Sequence, residues 1–107
     1  LVNFSAQPTR RVEWTFGIAY GDDVDKAYSV LRTLLQRDTR ILHDPETFIG
    51  VSALADSAVN IVVRAWVDAE HYWPVFFAMN EQVYKTFAAE GLTIPFPQRD
   101  VHIYQAG

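Results

Sequence analysis

The chain has 107 residues, half of them hydrophobic and 14% aromatic, which is enough for one packed domain and too apolar for a disordered segment. A formal net charge of −4 supplies no basic surface to displace counterions, and so argues against nucleic-acid binding. The lack of cysteine excludes disulfides and thiolate metal sites and fits a reducing compartment. No run reaches the ~18 consecutive apolar residues of a membrane span, and no signal-peptide pattern is present. Leu1-Val2-Asn3-Phe4-Ser5 reads as the end of a strand whose partners lie elsewhere, as expected of a domain excised from a longer chain.

After Pro8, Val12, Trp14, Phe16, Ile18 and Tyr20 alternate with Arg11, Glu13, Thr15, Gly17 and Ala19, the period-two pattern of a strand with one apolar face. Gly21-Asp22-Asp23 ends it, and either Asp can cap a following helix. In that helix Val24, Tyr28, Leu31, Leu34 and Leu35 share one face. His43-Asp44-Pro45-Glu46 marks a turn. A weaker strand spans 47–54, with Ile49, Val51 and Ala53 on one side, and Ala55-Asp56-Ser57 makes a hairpin reversal. Val59, Ile61, Val63, Ala65 and Val67 then form a β-branched strand expected at the sheet centre.

A second helix is predicted over 70–90, burying Phe76, Met79, Val83 and Phe87 with Trp73 near its start. Pro74 is tolerated because it falls in the first turn, and Gly91 can take the left-handed conformation that closes the helix. Pro95 and Pro97 lock the backbone and remove two donors, so the chain must run extended there and cannot be an interior strand. Val101, Ile103 and Tyr104 make a short terminal strand carried away from a finished domain. The order strand, helix, strand, strand, helix, strand predicts an α+β fold: a ferredoxin-like split βαββαβ, with two helices on one face of an antiparallel sheet. The terminal strand is free either to join its own sheet or to leave it for an inter-subunit barrel.

Reactive chemistry is sparse. His43, His71 and His102 have no second ligand at helical spacing, so solvated or capping histidine is the plainer reading. Asp22, Asp23 and Asp25 lack the ligand pattern of a calcium loop and suit N-capping. Ser57 has no visible base, and Gly17, Gly21 and Gly50 are too isolated for a phosphate cradle. No catalytic residue, metal site or cofactor site is predicted. Trp14 and Phe16 could form an RNA-stacking platform, but they share a face with Val12 and Ile18, which makes them core. Arg64 is different: with Asn60 and Trp66 it lies on the sheet face away from the helices, which must meet either water or a partner.

These residues carry a resemblance. Asn3-Phe4-Ser5, Arg10-Arg11, Tyr20-Gly21-Asp22-Asp23, Ile41-Leu42-His43-Asp44-Pro45, Asp56-Ser57-Ala58-Val59, Val62-Val63-Arg64-Ala65-Trp66 and Gly91-Leu92-Thr93-Ile94-Pro95-Phe96-Pro97-Gln98 follow one another as in the cytoplasmic C-terminal domain of the small-conductance mechanosensitive (MscS-like) channel family, which the chain resembles over nearly its whole length. The resemblance implies a homoheptamer anchored in the inner (plasma) membrane by upstream helices, with this domain on the cytoplasmic side. There it would form part of a hollow cage through which ions and small osmolytes pass during hypo-osmotic shock. It also implies three parts: 1–9 as the end of a β-rich middle domain and linker, 10–94 as the α/β domain, and 95–107 as spacer and barrel strand. The expected assembly residues are Pro95, Phe96, Pro97, Gln98, Val101, Ile103, Arg64 and Trp66. The alternatives are a free-standing ferredoxin-like small-molecule-binding regulatory domain, and a small hydrolase of the same plan, which the acidic stretch before the first helix disfavours.

Overall fold

A computed structural model describes residues 8–95. The terminal strand and the assembly residues Phe96, Pro97, Gln98, Val101 and Ile103 lie outside the described residues. Strand β1 covers Thr9–Ile18, helix α1 Val24–Arg37, strand β2 Ile41–Leu42, strand β3 Phe48–Leu54, strand β4 Val59–Asp68 and helix α2 Tyr72–Ala89, with a 3-10 turn at Ala69–His71 leading into α2. The four strands form one antiparallel sheet with β4 inside it, pairing β1 on one side and both β2 and β3 on the other. Both helices cover one face. This is the expected α+β arrangement, with β1 as an edge strand among the described residues.

The alternation of β1 sets the core. Val12 and Ile18 are fully buried and Trp14 nearly so, while Phe16 sits at the margin, edge-on to Phe87 with ring centroids 6.4 Å apart. Trp14 satisfies its indole N–H by donating to the Phe76 carbonyl at 3.2 Å, as a buried tryptophan must. Tyr20 departs from expectation. β1 stops at Ile18, the chain reverses through Gly21 at φ +93°, and Tyr20 is left exposed with its hydroxyl donating to the Ala55 carbonyl.

Asp23 is the cap of α1, its Oδ1 accepting from the N–H groups of Asp25 (3.0 Å) and Lys26 (3.2 Å). Ala27, Leu31, Leu34 and Leu35 are buried against the sheet, with Val24 and Tyr28 packed at the edge of the core. The two-residue β2 was not predicted; it is too short for periodicity to reveal. β3 carries a bulge between Val51 and Ala53, which breaks the alternation expected there. Only Ile49 of the three apolar residues packs against the core; Val51 and Ala53 are exposed on the sheet edge.

In α2 the buried stripe is Val75, Met79, Val83 and Phe87, a repeated i, i+4 spacing. Phe76 lies beside it and Trp73 is 54% exposed, contrary to the predicted stripe. Two residues along a helix turn through about 200°, so Trp73 and Val75 cannot share a face. Gly91, at φ +80°, ends the helix as expected. The Leu92 N–H reaches the Phe87 carbonyl at 2.8 Å and the Gly91 N–H the Ala88 carbonyl at 3.3 Å, the paired bonds of a Schellman motif. Leu92 is buried in the core with Phe87, so the helix end and the chain exit are fixed together.

Candidate functional site

The sheet face away from the helices is the first candidate surface. Strand alternation puts Asn60, Val62, Arg64 and Trp66 of β4 there, opposite the buried Val59, Ile61, Val63, Ala65 and Val67. Register then builds a row across three strands, with Glu13 of β1 and Phe48 of β3 flanking Arg64. Arg64 Nε donates to Glu13 Oε1 at 3.0 Å, and its guanidinium carbon lies 5.6 Å from the Phe48 ring centroid. Arg11 joins the same carboxylate at 3.8 Å. A Cβ on Gly50 would come within 2.9 Å of Phe48 Cζ, so glycine there lets the Phe48 ring lie against the sheet. These ion pairs are solvent-exposed, and each contributes at most ~1 kcal/mol. They orient Arg64 more than they stabilise the fold.

The second candidate is the chain exit after α2. The Thr93 carbonyl accepts from the Ala19 N–H at 3.1 Å, and the Thr93 N–H donates to Asp22 Oδ2 at 2.8 Å. The exit segment is therefore pinned to the end of β1. Pro95 follows two residues later, at the edge of the described chain.

The titratable groups are dispersed. Every fully buried side chain among the described residues is apolar, and no cluster of three or more His, Cys, Asp or Glu that could hold a metal occurs among them. His43 lines a groove of about 720 Å³ between α1 and the β2–β3 loop with Arg32, Asp44 and Glu46. All four are exposed to solvent, so the groove gathers charge without desolvating it. His71 lies 3.5 Å from Glu70 beside α2, and Ser57 is in the hairpin turn. The perturbed groups are structural. Two hydrogen bonds from the Arg40 side chain, each 2.9 Å, hold the Asp38 carboxyl below its usual range against the opposing effect of partial burial. On the surface of α2, Lys85 lowers Glu81 in the same way.

Of the expected assembly residues, Arg64 and Trp66 share the open face and Pro95 ends the exit segment. Sequence reading missed Glu13 and Phe48 as partners of Arg64, because cross-strand register is invisible until the strands are paired. It also missed that Trp73, Phe77 and Tyr84 are exposed at 54%, 61% and 69%. Their spacing of four and seven residues marks a second apolar stripe on α2 and was the available signal.

Comparison with known proteins gives the same fold and names a family. A family model described as mechanosensitive ion channel MscS, C-terminal, matches residues 12–94. A small-conductance mechanosensitive channel of Edwardsiella ictaluri is 42% identical over 106 residues, covering 99% of this chain and 37% of that protein. An uncharacterized MscS family protein of Archaeoglobus fulgidus is 35% identical over 101 residues, 94% of this chain and 36% of that protein. The crystal structure of Helicobacter pylori MscS in its closed state superposes with a TM-score of 0.79 at 26% identity, covering 84% of this chain and 36% of that one. The chain thus spans little more than a third of the length of the curated relatives it matches. No helix among the described residues is long and apolar enough to cross a membrane. The chain belongs to the MscS family of mechanosensitive ion channels, as the C-terminal domain of such a channel.

Proposed function

We propose that this chain is the wall of a cytoplasmic cage: the vestibule domain of a mechanosensitive channel that releases ions and small osmolytes on hypo-osmotic shock. In this reading it docks with copies of itself as a homo-oligomer, a heptamer in the whole channel, held at the inner face of the plasma membrane by helices upstream of Leu1. The observation that carries the reading is the family match over residues 12–94 together with the likeness to Helicobacter pylori MscS. The scattered titratable groups and the uncovered sheet face around Arg64 support it, since they suit shape and docking better than chemistry. Residues 1–9, 10–94 and 95–107 then act as the end of a middle domain, the wall, and the spacer with its barrel strand. Arg64, Trp66 and the segment from Pro95 to Ile103 are the assembly residues.

The test uses the full-length parent channel in cells stripped of their own mechanosensitive channels. Survival of a sudden osmotic downshift, with tension-gated currents in membrane patches, supports the reading. Absence of both from a protein that reaches the membrane refutes it.

A further inference from the structure

The two flanks of the domain differ in kind and match in order. On one flank β1 is an edge strand among the described residues, and α2 lies above it: Trp14 stacks on Phe76, and the Arg10 guanidinium sits 3.9 Å over the Tyr72 ring. Ala78 and Gln82 line the groove shared with α1, so Trp73, Phe77 and Tyr84 project from the opposite side of α2, above the outer edge of β1. On the other flank β3 is the edge, with Val51 and Leu54 exposed at 41% and 73%. The loop 43–47 leaves the sheet below them, carrying the exposed Asp44 and Glu46.

Register gives these features their heights. Leu42 is level with Arg11 through Trp66, and Phe48 is level with Glu13 through Arg64. The acidic loop between them therefore leaves the sheet between the heights of Arg11 and Glu13, just above Arg10, which is level with Ile41. Higher up, Val51 is level with Phe16 through Ile61, and Leu54 with Ile18 through Val59. Going up the strands, one flank presents Arg10 beside Trp73 and then Phe77 and Tyr84, and the other presents Asp44 and Glu46, then Phe48, Val51 and Leu54. Copies arranged around an axis parallel to the strands meet at equal height, so unlike flanks present opposite charges and apolar surface to each other. A contact between unlike surfaces makes a ring when its rotation closes.

We infer that the α2–β1 flank of one copy, through Arg10, Phe77 and Tyr84, docks against the β3 flank of the next copy, through Glu46, Val51 and Leu54. The inference rests on the proposed homo-oligomer and adds which surfaces meet and in which sense. Val51 also donates its N–H to the Tyr28 hydroxyl at 3.1 Å, which occupies that backbone donor of the β3 edge.

The chain has no cysteine of its own, which suits disulfide trapping in the full-length channel. Phe77→Cys and Val51→Cys are made singly and together, and mild oxidation is followed on non-reducing gels. The double variant is expected to form a ladder of linked subunits and the single variants none. Covalent dimers from Phe77→Cys alone would show a two-fold contact instead and overturn the inference. So would an unlinked double variant whose channel still has an oligomeric mass; in that case the homo-oligomer stands and only the contact fails. A monomeric mass for the wild-type channel overturns both. As a second measurement, Arg10→Glu should cut the linked fraction of the double variant several-fold, and adding Glu46→Arg should restore it. Failure of that restoration overturns the charge pairing.

Discussion

The Thr93 N–H donates to Asp22 Oδ2 at 2.8 Å across 71 residues of sequence. Asp22 belongs to the turn after β1 and Thr93 to the segment leaving α2, so one carboxylate ties the first reversal of the chain to its exit. The exit direction is set twice, because Thr93 also accepts from Ala19 and Leu92 is buried two bonds before the tie. Asp22→Ala should cost ~1 kcal/mol, the scale of an ordinary hydrogen bond and less than one to a buried charge, because the site is exposed to water. The expected signature is local: faster amide exchange at Thr93, with the amides of β4 unaffected. Uniformly faster exchange across the sheet would mean that Asp22 supports the whole fold.

Phe87 is the keystone of the layer between α2 and the sheet. It is fully buried, edge-on to Phe16, and its carbonyl closes the helix through Leu92. Phe87→Ala should destabilise by about 3–5 kcal/mol, from lost burial plus the cavity left behind. Phe77→Ala, in the same helix but 61% exposed, should change the stability of the domain by ~0.5 kcal/mol or less. Chemical denaturation of the two variants measures the contrast, and equal losses would contradict the assignment of faces.

The Asp38–Arg40 pair gives the domain an acid-sensitive joint between α1 and β2. Asp38 Oδ1 also accepts from the Arg40 N–H at 3.0 Å, and its own carbonyl from Ile41 at 3.1 Å, so the charge holds a turn. Its folded pKa lies below the unfolded one because the Arg40 hydrogen bonds favour the carboxylate. The stabilisation is therefore complete above the ordinary aspartate value of ~4 and is lost as pH falls through the lowered folded value. Asp38→Asn should lower the melting temperature at neutral pH, with the gap to wild type narrowing below about pH 4. A gap that widened in acid would reverse the sign of the argument.

The fold was legible where one residue pattern faced one environment. Val12, Trp14 and Ile18 and the odd-numbered positions of β4 alternate because one side meets helices and the other does not, and Gly91 announced the helix end that Leu92 then sealed. The errors have separate causes. Trp73 was set near the start of the buried stripe, yet its angle relative to Val75 points it outward. Val51 and Ala53 looked like half of a core face, but they flank a bulge on an edge strand that has little to cover it. The cross-strand row of Glu13, Arg64 and Phe48 depends on register, which no single strand encodes. Arg64 was nonetheless identifiable as a polar residue on the uncovered side of a central strand.

Pro95 gives the exit segment its direction. An antiparallel ladder continued from the Ala19–Thr93 bond would next require the N–H of residue 95, and proline has none. The sequence repeats the defect at Pro97. β1 therefore cannot recruit the chain in register at Pro95. Replacing both prolines with alanine restores the two donors and frees the backbone torsion, so the segment can settle along its own β1 edge. In the full-length channel this should lower the thermal stability of the assembly. The domain itself should change by no more than ~1 kcal/mol, the scale of a proline's effect on unfolded-chain entropy. The two are separable: dissociation to single subunits is followed by mass against temperature, and domain unfolding by circular dichroism. An assembly that dissociates at the wild-type temperature would show that the prolines do not hold the terminal strand for its neighbours.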